Sequence, residues 1–235
     1  SPPAAPRPEL EARILREDDL LIALDKPAGM AVHGGSGVAS GVIESLRALR
    51  PGTELELVHR LDRETSGCLL VAKKRSFLRR IHRLLRTRQG MHKRYLAVVK
   101  GVWPGTRVVD APLATYMRGG GERRARIDPT NGKPSQTRFK VLKEGASMSL
   151  LQAEPVTGRT HQIRVHAASE GCPIAGDARY GNEALNEHLR KVFGVRRMLL
   201  HAEAVLLHEP ETGYRVEISS TPDAAMAKVI AAIEA

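Results

Sequence analysis

The sequence predicts an α+β fold, and three observations predict it. Apolar runs of strand length recur along the chain, at residues 20–24, 55–58, 68–72, 94–99, 137–142, 147–153, 199–207 and 214–218. Segments with helical spacing of apolar residues fall between them, around Val42, Phe77 and Met226, without the regular β-α alternation of a doubly wound sheet. Nothing repeats internally. At 235 residues the chain is long enough to bury a sizeable core, and one domain, residues 11–235, is the simpler organisation.

Composition narrows the function. Lys+Arg 37 against Asp+Glu 26 gives a net charge of +11 and an isoelectric point near 10.1, which favours a polyanionic partner. No stretch has the length of an apolar membrane span and residues 1–8 lack the apolar core of a signal peptide, so a soluble, cytoplasmic protein is expected. Cys68 and Cys172 show no C-x-x-C spacing and read as two reduced thiols.

In chain order, the Pro/Ala-rich residues 1–10 read as an extended linker. Residues 13–16 and 20–24 flank Glu17-Asp18-Asp19 as a hairpin, and Lys26-Pro27-Ala28-Gly29 ends its second strand. Gly34-Gly35-Ser36-Gly37 is a glycine-rich loop without Walker spacing or a following Lys, which argues against nucleotide binding. A short helix with Val42, Leu46 and Leu49 on one face stops at Pro51-Gly52. Residues 73–94 then carry Lys73, Lys74, Arg75, Arg79, Arg80, Arg83, Arg86, Arg88, Lys93 and Arg94 with no acidic residue. Ser76 is the expected N-cap, Phe77, Ile81, Leu84 and Leu85 the inner stripe and Gly90 the stop, leaving a basic outer face. A solvated helix usually mixes signs, so this face predicts contacts to an RNA backbone by Arg79, Arg80 and Arg83.

Residues 117–126 read as a mobile Gly- and Arg-rich loop, a second site for backbone contact. The strands at 137–142 and 147–153 should pair around Glu144-Gly145, and 161–170 should form a short helix capped by Thr160 and ended by Gly171 and Pro173. His161 and His166 diverge by about 140° on a helix and lie on opposite faces of a strand, so they do not chelate one metal and are expected to pack or hydrogen-bond. Residues 190–197 form another basic segment, and Thr221-Pro222-Asp223 opens a last helix with Met226, Val229, Ile230 and Ile233 on its apolar side.

The stretch that draws chemistry is His59-Arg60-Leu61-Asp62-Arg63-Glu64-Thr65-Ser66-Gly67, a polar connection between two apolar runs. It is either a catalytic loop with Asp62 on a rigid mount or an Arg-Asp-Arg ion-pair cluster on a surface loop. This nonamer resembles the H-R-L-D-R-[DE]-T-S-G signature of the RluA-type pseudouridine synthases. The resemblance extends through Asp25-Lys26-Pro27-Ala28-Gly29, residues 92–101, Gly158-Arg159-Thr160-His161-Gln162-Ile163-Arg164-Val165-His166, Gly176-Asp177-Ala178-Arg179-Tyr180-Gly181 and Leu200-His201-Ala202.

The resemblance has specific implications. The fold should be a mixed, largely antiparallel sheet flanked by helices with a central RNA-binding cleft. The activity should be isomerisation of uridine to pseudouridine, without cofactor or metal, by a monomer acting on large-subunit ribosomal RNA. Transfer RNA is the alternative substrate, and a non-catalytic ribosome-assembly protein that binds RNA is the alternative class. Asp62 would be the reactive carboxylate at C1′, Arg164 the cation that pairs with it and keeps it ionised, and Tyr95 the ring that stacks on uracil and takes the C5 proton. Ile163 would close the other side of the ring, and Arg60, or else Arg63, would fill the gap left by the extruded base. Lys26 and Arg159 would touch RNA or the motif loops. Members of the family often carry a small S4-type RNA-binding domain ahead of the catalytic one, so residues 1–10 are expected to be a linker remnant after such a missing domain.

Overall fold

Two strands are buried on both faces, because their sequences are almost unbroken apolar runs: Leu21–Lys26 and Ser66–Ala72. They belong to a computed structural model that describes residues 7–35, 40–87 and 89–234. In chain order the first elements are a 3-10 turn Pro8–Arg13, β1 Ile14–Glu17, β2 Leu21–Lys26, α1 Val42–Leu49, β3 Glu56–Leu57, β4 Ser66–Ala72, α2 Arg75–Arg86 and β5 Met91–Lys100. Next come β6 Val108–Asp110, β7 Leu113–Arg118, β8 Glu122–Ile127, β9 Gln136–Lys143, β10 Met148–Pro155 and α3 Gln162–Ser169. The chain closes with α4 Glu183–His188 running into a π turn Leu189–Phe193, then β11 Leu200–Glu209, β12 Tyr214–Ser219 and α5 Ala224–Ala231. The fold is α+β with largely antiparallel strands and flanking helices, as expected.

Where the sequence predicts one domain, backbone contacts divide the chain into two compact units, Ser1–Lys93 with Ala202–Thr221 and Arg94–His201 with Pro222–Ala235. In the first, β2 pairs antiparallel with β1 and β4, β3 lies along β4, and β11 pairs with β12. Leu21, Ala23, Cys68, Leu70 and Ala72 from one face of this sheet meet Phe77 and Ile81 of α2 in a shared core. Phe77 packs edge-on against Tyr214 at 5.2 Å between ring centres, and the Tyr214 hydroxyl donates to Asp18 at 2.7 Å. In the second unit β10 pairs antiparallel with β5 and β9, and β9 with β6. The core there gathers Leu96, Val98, Met148 and Leu150 of the sheet with Leu189, Met226, Val229 and Ile233 of the helices.

Four expectations are corrected. Residues 1–6 of the expected linker lie outside the described residues, but Pro8–Arg13 is a 3-10 turn whose Leu10 is 1% exposed, so residues 8–10 are part of the fold rather than of a linker. Helix α2 starts one residue before Ser76, and its N-cap, Lys74, has an extended backbone and no side-chain cap. Helix α3 starts after His161, and Thr160 is not its cap. The expected loop at 117–126 is the β7–β8 hairpin, paired from Leu113↔Ile127 to Arg118↔Glu122 with only Gly119–Gly121 at the tip. The basic segment at 190–197, for which the sequence predicts no element, begins in the π turn that ends α4, where Leu189 is fully buried. Ser36 and Gly37 of the glycine-rich loop, and Arg88 of the basic run, lie outside the described residues.

A charge cluster joins the edge elements of the first unit. Arg50, after α1, donates to Glu11 at 2.8 and 3.0 Å and to Glu17 at 2.8 Å twice, while Lys73 donates to Glu17 at 2.8 Å. The hydrogen bonds from Arg50 and then Lys73 hold the Glu17 carboxyl down at about 2, and Arg50 lowers Glu11 as well. Both carboxyl groups ionise more easily folded than unfolded, so their contribution is complete above pH 4.5 and is lost as pH falls toward 2. Substituting Arg50→Gln should therefore lower the urea midpoint near pH 6, and the gap to the unsubstituted protein should close as the pH is lowered from 4.5 to 2. A gap that stays constant with pH would contradict this linkage.

Candidate active site

In the first unit the segment from His59 to Thr65 connects β3 to β4 and is held by its apolar members. Val58 and Leu61 are buried, and the Val58 N–H donates to Leu70 O at 3.0 Å. His59 accepts at Nε2 from the Leu70 N–H at 3.0 Å, which puts its ring proton on Nδ1, and burial, with a smaller contribution from Lys93, pushes it down to about 3. It is therefore a neutral structural histidine. Thr65 N–H donates to Asp62 O at 3.0 Å and closes a turn around the aspartate, which is half-buried between an exposed Arg60 and an exposed Arg63. Gly67 then has φ 110°, and a Cβ there would stand 2.2 Å from Ala202 O, so this motif position requires glycine.

Lys26 supports the loop from beneath. It is 1% exposed, and its Nζ donates to Pro27 O at 2.9 Å, Met30 O at 2.7 Å and Arg63 O at 2.9 Å. The Gly29 N–H also donates to Arg63 O at 2.8 Å, and Arg63 Nε returns a bond to Gly29 O at 2.9 Å. Of the two expectations for Lys26, the motif loop is the one realised. The ammonium thus holds three part-buried carbonyls of the motif loops together. Arg63 likewise has its Nε committed to the backbone.

Helix α2 presents the basic face. Arg79 and Arg83 are exposed and Arg80 is half-buried, while Phe77 and Ile81 are fully buried beneath. The expected amphipathic division is thus present.

In the second unit Tyr95 lies on β5 opposite Ala153 of β10 and is 7% exposed. The Gly158–His166 motif is bolted to β9. Gln162 accepts at Oε1 from Thr157 Oγ1 at 2.5 Å and from Arg159 N–H at 3.2 Å, and its Nε2 donates to Gln136 O at 2.8 Å and Thr137 Oγ1 at 2.9 Å. His166, fully buried, lies 2.8 Å from Thr137 Oγ1 at Nδ1 and 2.9 Å from Ala111 O at Nε2. The carbonyl can only accept, so Nε2 carries the proton and Nδ1 accepts from the hydroxyl. These bonds leave Ile163 and Arg164 on a fixed first turn, both buried.

Arg164 grips Asp177 with two nitrogens, Nε at 2.9 Å and Nη2 at 2.8 Å. Burial alone would raise the Asp177 carboxyl. The hydrogen bonds and charge of Arg164, with the N–H groups of Arg179 and Tyr180, hold it below its ordinary value instead. The resemblance points to a carboxylate partner for Arg164 but gives Asp177 no role. Its signal in the sequence is the Gly176–Gly181 motif itself.

Arg159 sends Nε to Pro134 O at 3.2 Å and lines a cavity of about 630 Å³ with Arg123, Arg126 and Lys133 against the single acid Asp128. Arg126 also lies 5.0 Å over the Tyr116 ring. The β7–β8 hairpin therefore keeps the basic character expected of residues 117–126, on ordered strands. Among the described residues no group of three or more His, Cys, Asp or Glu side chains could hold a metal ion, and no helix is long and apolar enough to cross a membrane.

A family described as RNA pseudouridylate synthase matches residues 20–169, which include both the Asp62 loop and the first turns of α3. The chain belongs to this family. It is an RNA pseudouridine synthase, an isomerase that exchanges the N1 glycosidic link of a uridine for a link through C5. Among its relatives, the ribosomal large subunit pseudouridine synthase C of Pasteurella multocida is 48% identical over 227 residues, covering 96% of this chain and 69% of the relative. The enzyme of the same name from Salmonella typhimurium is 51% identical over 220 residues, covering 92% and 68%. A solved structure, human RNA pseudouridylate synthase domain containing 4, superposes with a TM-score of 0.75 at 27% identity, covering 93% of this chain and 92% of that one.

Two substitutions test the loop. Replacing Lys26 by Met leaves the part-buried carbonyls of Pro27 and Met30 without this donor, at about 1–3 kcal/mol each before relaxation, while Arg63 O keeps the Gly29 N–H, so the urea midpoint should fall and activity with it. Replacing Gly67 by Ala should cost about 1–3 kcal/mol for the backbone conformation alone, with the Ala202 clash added. Unchanged midpoints would show that the loop is held by something else.

Proposed function

We propose that this protein converts uridines of large-subunit ribosomal RNA to pseudouridine, with Asp62 as the reactive carboxylate. The observation that carries the reading is Asp62 itself: it sits in the family motif, on a turn fixed by Thr65 and by the Lys26 ammonium, between two exposed arginines. The names of the bacterial relatives at 48 and 51% identity support the ribosomal substrate.

Breaking the C1′–N1 bond leaves positive character on the sugar and the electron pair on the base. An ionised carboxylate at C1′ stabilises or attacks that centre, as in glycoside hydrolysis. The base is held while it turns, C5 bonds to C1′, the C5 proton leaves, and N1, holding the electron pair of the broken bond, takes up a proton, so that the product is an isomer of the substrate. Arg164 supplies the cation that keeps Asp62 ionised, and Tyr95 supplies the ring against uracil and the hydroxyl for the proton transfer. Ile163 forms an apolar wall, and Arg60, exposed beside Asp62, stacks where the base was. Arg79, Arg80 and Arg83 neutralise phosphates, with Arg159 as a further contact.

The decisive measurement is tritium release from ribosomal RNA labelled at uridine C5. The unsubstituted protein should release label, and Asp62→Asn should lose roughly 10³-fold or more of the rate. Release from transfer RNA alone would move the substrate, and binding without release from either RNA would favour the assembly role. Binding should weaken steeply with salt, and neutralising Arg79, Arg80 and Arg83 together should flatten the log–log slope by about 0.7–0.9 for each phosphate contact removed. An unchanged slope would take α2 out of the RNA interface.

A further inference from the structure

Arg164 is held by residues to which the reaction assigns no part. Its Nε and Nη2 donate to Oδ2 and Oδ1 of Asp177, whose side chain is 0% exposed. The same Oδ1 accepts from the N–H groups of Arg179 at 2.9 Å and Tyr180 at 3.2 Å, so the carboxylate is also the centre of its own turn. Asn186, after the start of α4, pins that turn from outside: its Nδ2 donates to Asp177 O at 3.0 Å and its Oδ1 accepts from the Gly176 N–H at 2.8 Å.

A second wall comes from Tyr180. The Arg164 Cζ lies 5.0 Å from the centre of its ring, a cation–π distance. The Tyr180 hydroxyl accepts from the Ala125 N–H of β8 at 2.9 Å and lies 2.6 Å from His161 Nδ1. His161, the residue just before α3, has φ 54°, and among the described residues it is the one non-glycine with positive φ. A non-glycine residue keeps such a conformation only where its surroundings hold it there, which is commonest at functional sites.

A guanidinium is a planar fork, and gripping it by Nε and Nη2 fixes both its plane and its rotation while turning the Nη1 edge away from the carboxylate. A salt bridge needed only for stability would be satisfied by the two charges. Here a buried carboxylate, an aromatic face and a residue in the left-handed region converge on one arginine. We infer that Asp177 is a positioning residue of the isomerase, which, with the Tyr180 ring behind it, sets the Arg164 guanidinium in the one orientation in which it serves the reaction. This rests on the role proposed above for Arg164. Pre-setting the group removes from the reaction the entropy of ordering a long side chain.

The test is Asp177→Asn in the full chain. Asparagine keeps Oδ1 for the two turn N–H groups and replaces Oδ2 with an amide NH₂ that faces the Arg164 Nε donor, so it releases the fork and spares the turn. With tritium release from ribosomal RNA as the assay, kcat should fall on the order of 10²-fold with KM within about threefold. Thermal unfolding should stay cooperative and RNA binding unchanged. A folded Asp177→Asn protein with unaltered kcat overturns the inference, as does a loss confined to KM. Arg164→Met separates this from the reading beneath it: an active Arg164→Met protein removes the role of Arg164, whereas an inactive one beside a fully active Asp177→Asn protein overturns the positioning alone. Should Asp177→Asn not fold, Arg164→Lys decides, since lysine keeps the charge without the fork. It should lose kcat to a similar degree, and full activity would overturn the inference.

Discussion

The ammonium of Lys26, buried and divided among the carbonyls of Pro27, Met30 and Arg63, is the interaction on which the Asp62 loop depends. Backbone carbonyls in an irregular turn have no strand partner, and burying them unpaired is costly. One group with three donors satisfies three of them at once and draws the chain on either side together. Lys26 ends β2, whose residues are buried on both faces, so a strand from the core of the first unit carries the anchor. The aspartate one residue before Arg63 therefore inherits its place from the core.

The second unit follows the same logic with different chemistry. Thr157, Gln162, Thr137 and His166 form a chain of buried hydrogen bonds that fastens α3 to β9 with no net charge. The ion pair admitted inside, Arg164 with Asp177, is admitted because two donors meet two acceptors and the carboxylate has further N–H partners. Such a pair contributes little stability compared with an apolar alternative. Its presence in the interior accords with the positioning role proposed for Asp177.

Outside the cores the charge of α2 is of one sign, and the β7–β8 hairpin is basic apart from Glu122. Helix α2 and the β7–β8 hairpin each set arginines on ordered backbone, one above Phe77 and Ile81, the other beside Tyr116. Rigid cations of one sign repel one another in the free protein and are relieved by a polyanion, which accords with an enzyme acting on RNA. The tritium assay reads the chemistry and the salt dependence reads these faces, so the two aspects of function can be separated experimentally.

The sequence by itself determined the class of fold, the elements with strong periodicity and the motifs that place the chain in its family. Strands β2 and β4 and helices α1, α2 and α5 were legible because their apolar spacing is local, and the Asp62 and Arg164 motifs because their residue order is specific. What only the tertiary structure decided is pairing between segments. Residues 117–126 looked like a loop since glycine and arginine carry no strand signal, yet cross-strand hydrogen bonds and the Tyr180 hydroxyl hold β8 in register. For Lys26 the sequence left RNA and the motif loops open, and its contact to the loop depends on Arg63, 37 residues away. Asp177 stands 13 residues from Arg164, beyond any helical or strand period, and only the folded chain brings its carboxylate onto the guanidinium. Periodicity reports which way a side chain faces; its partner is chosen by the packing of distant segments.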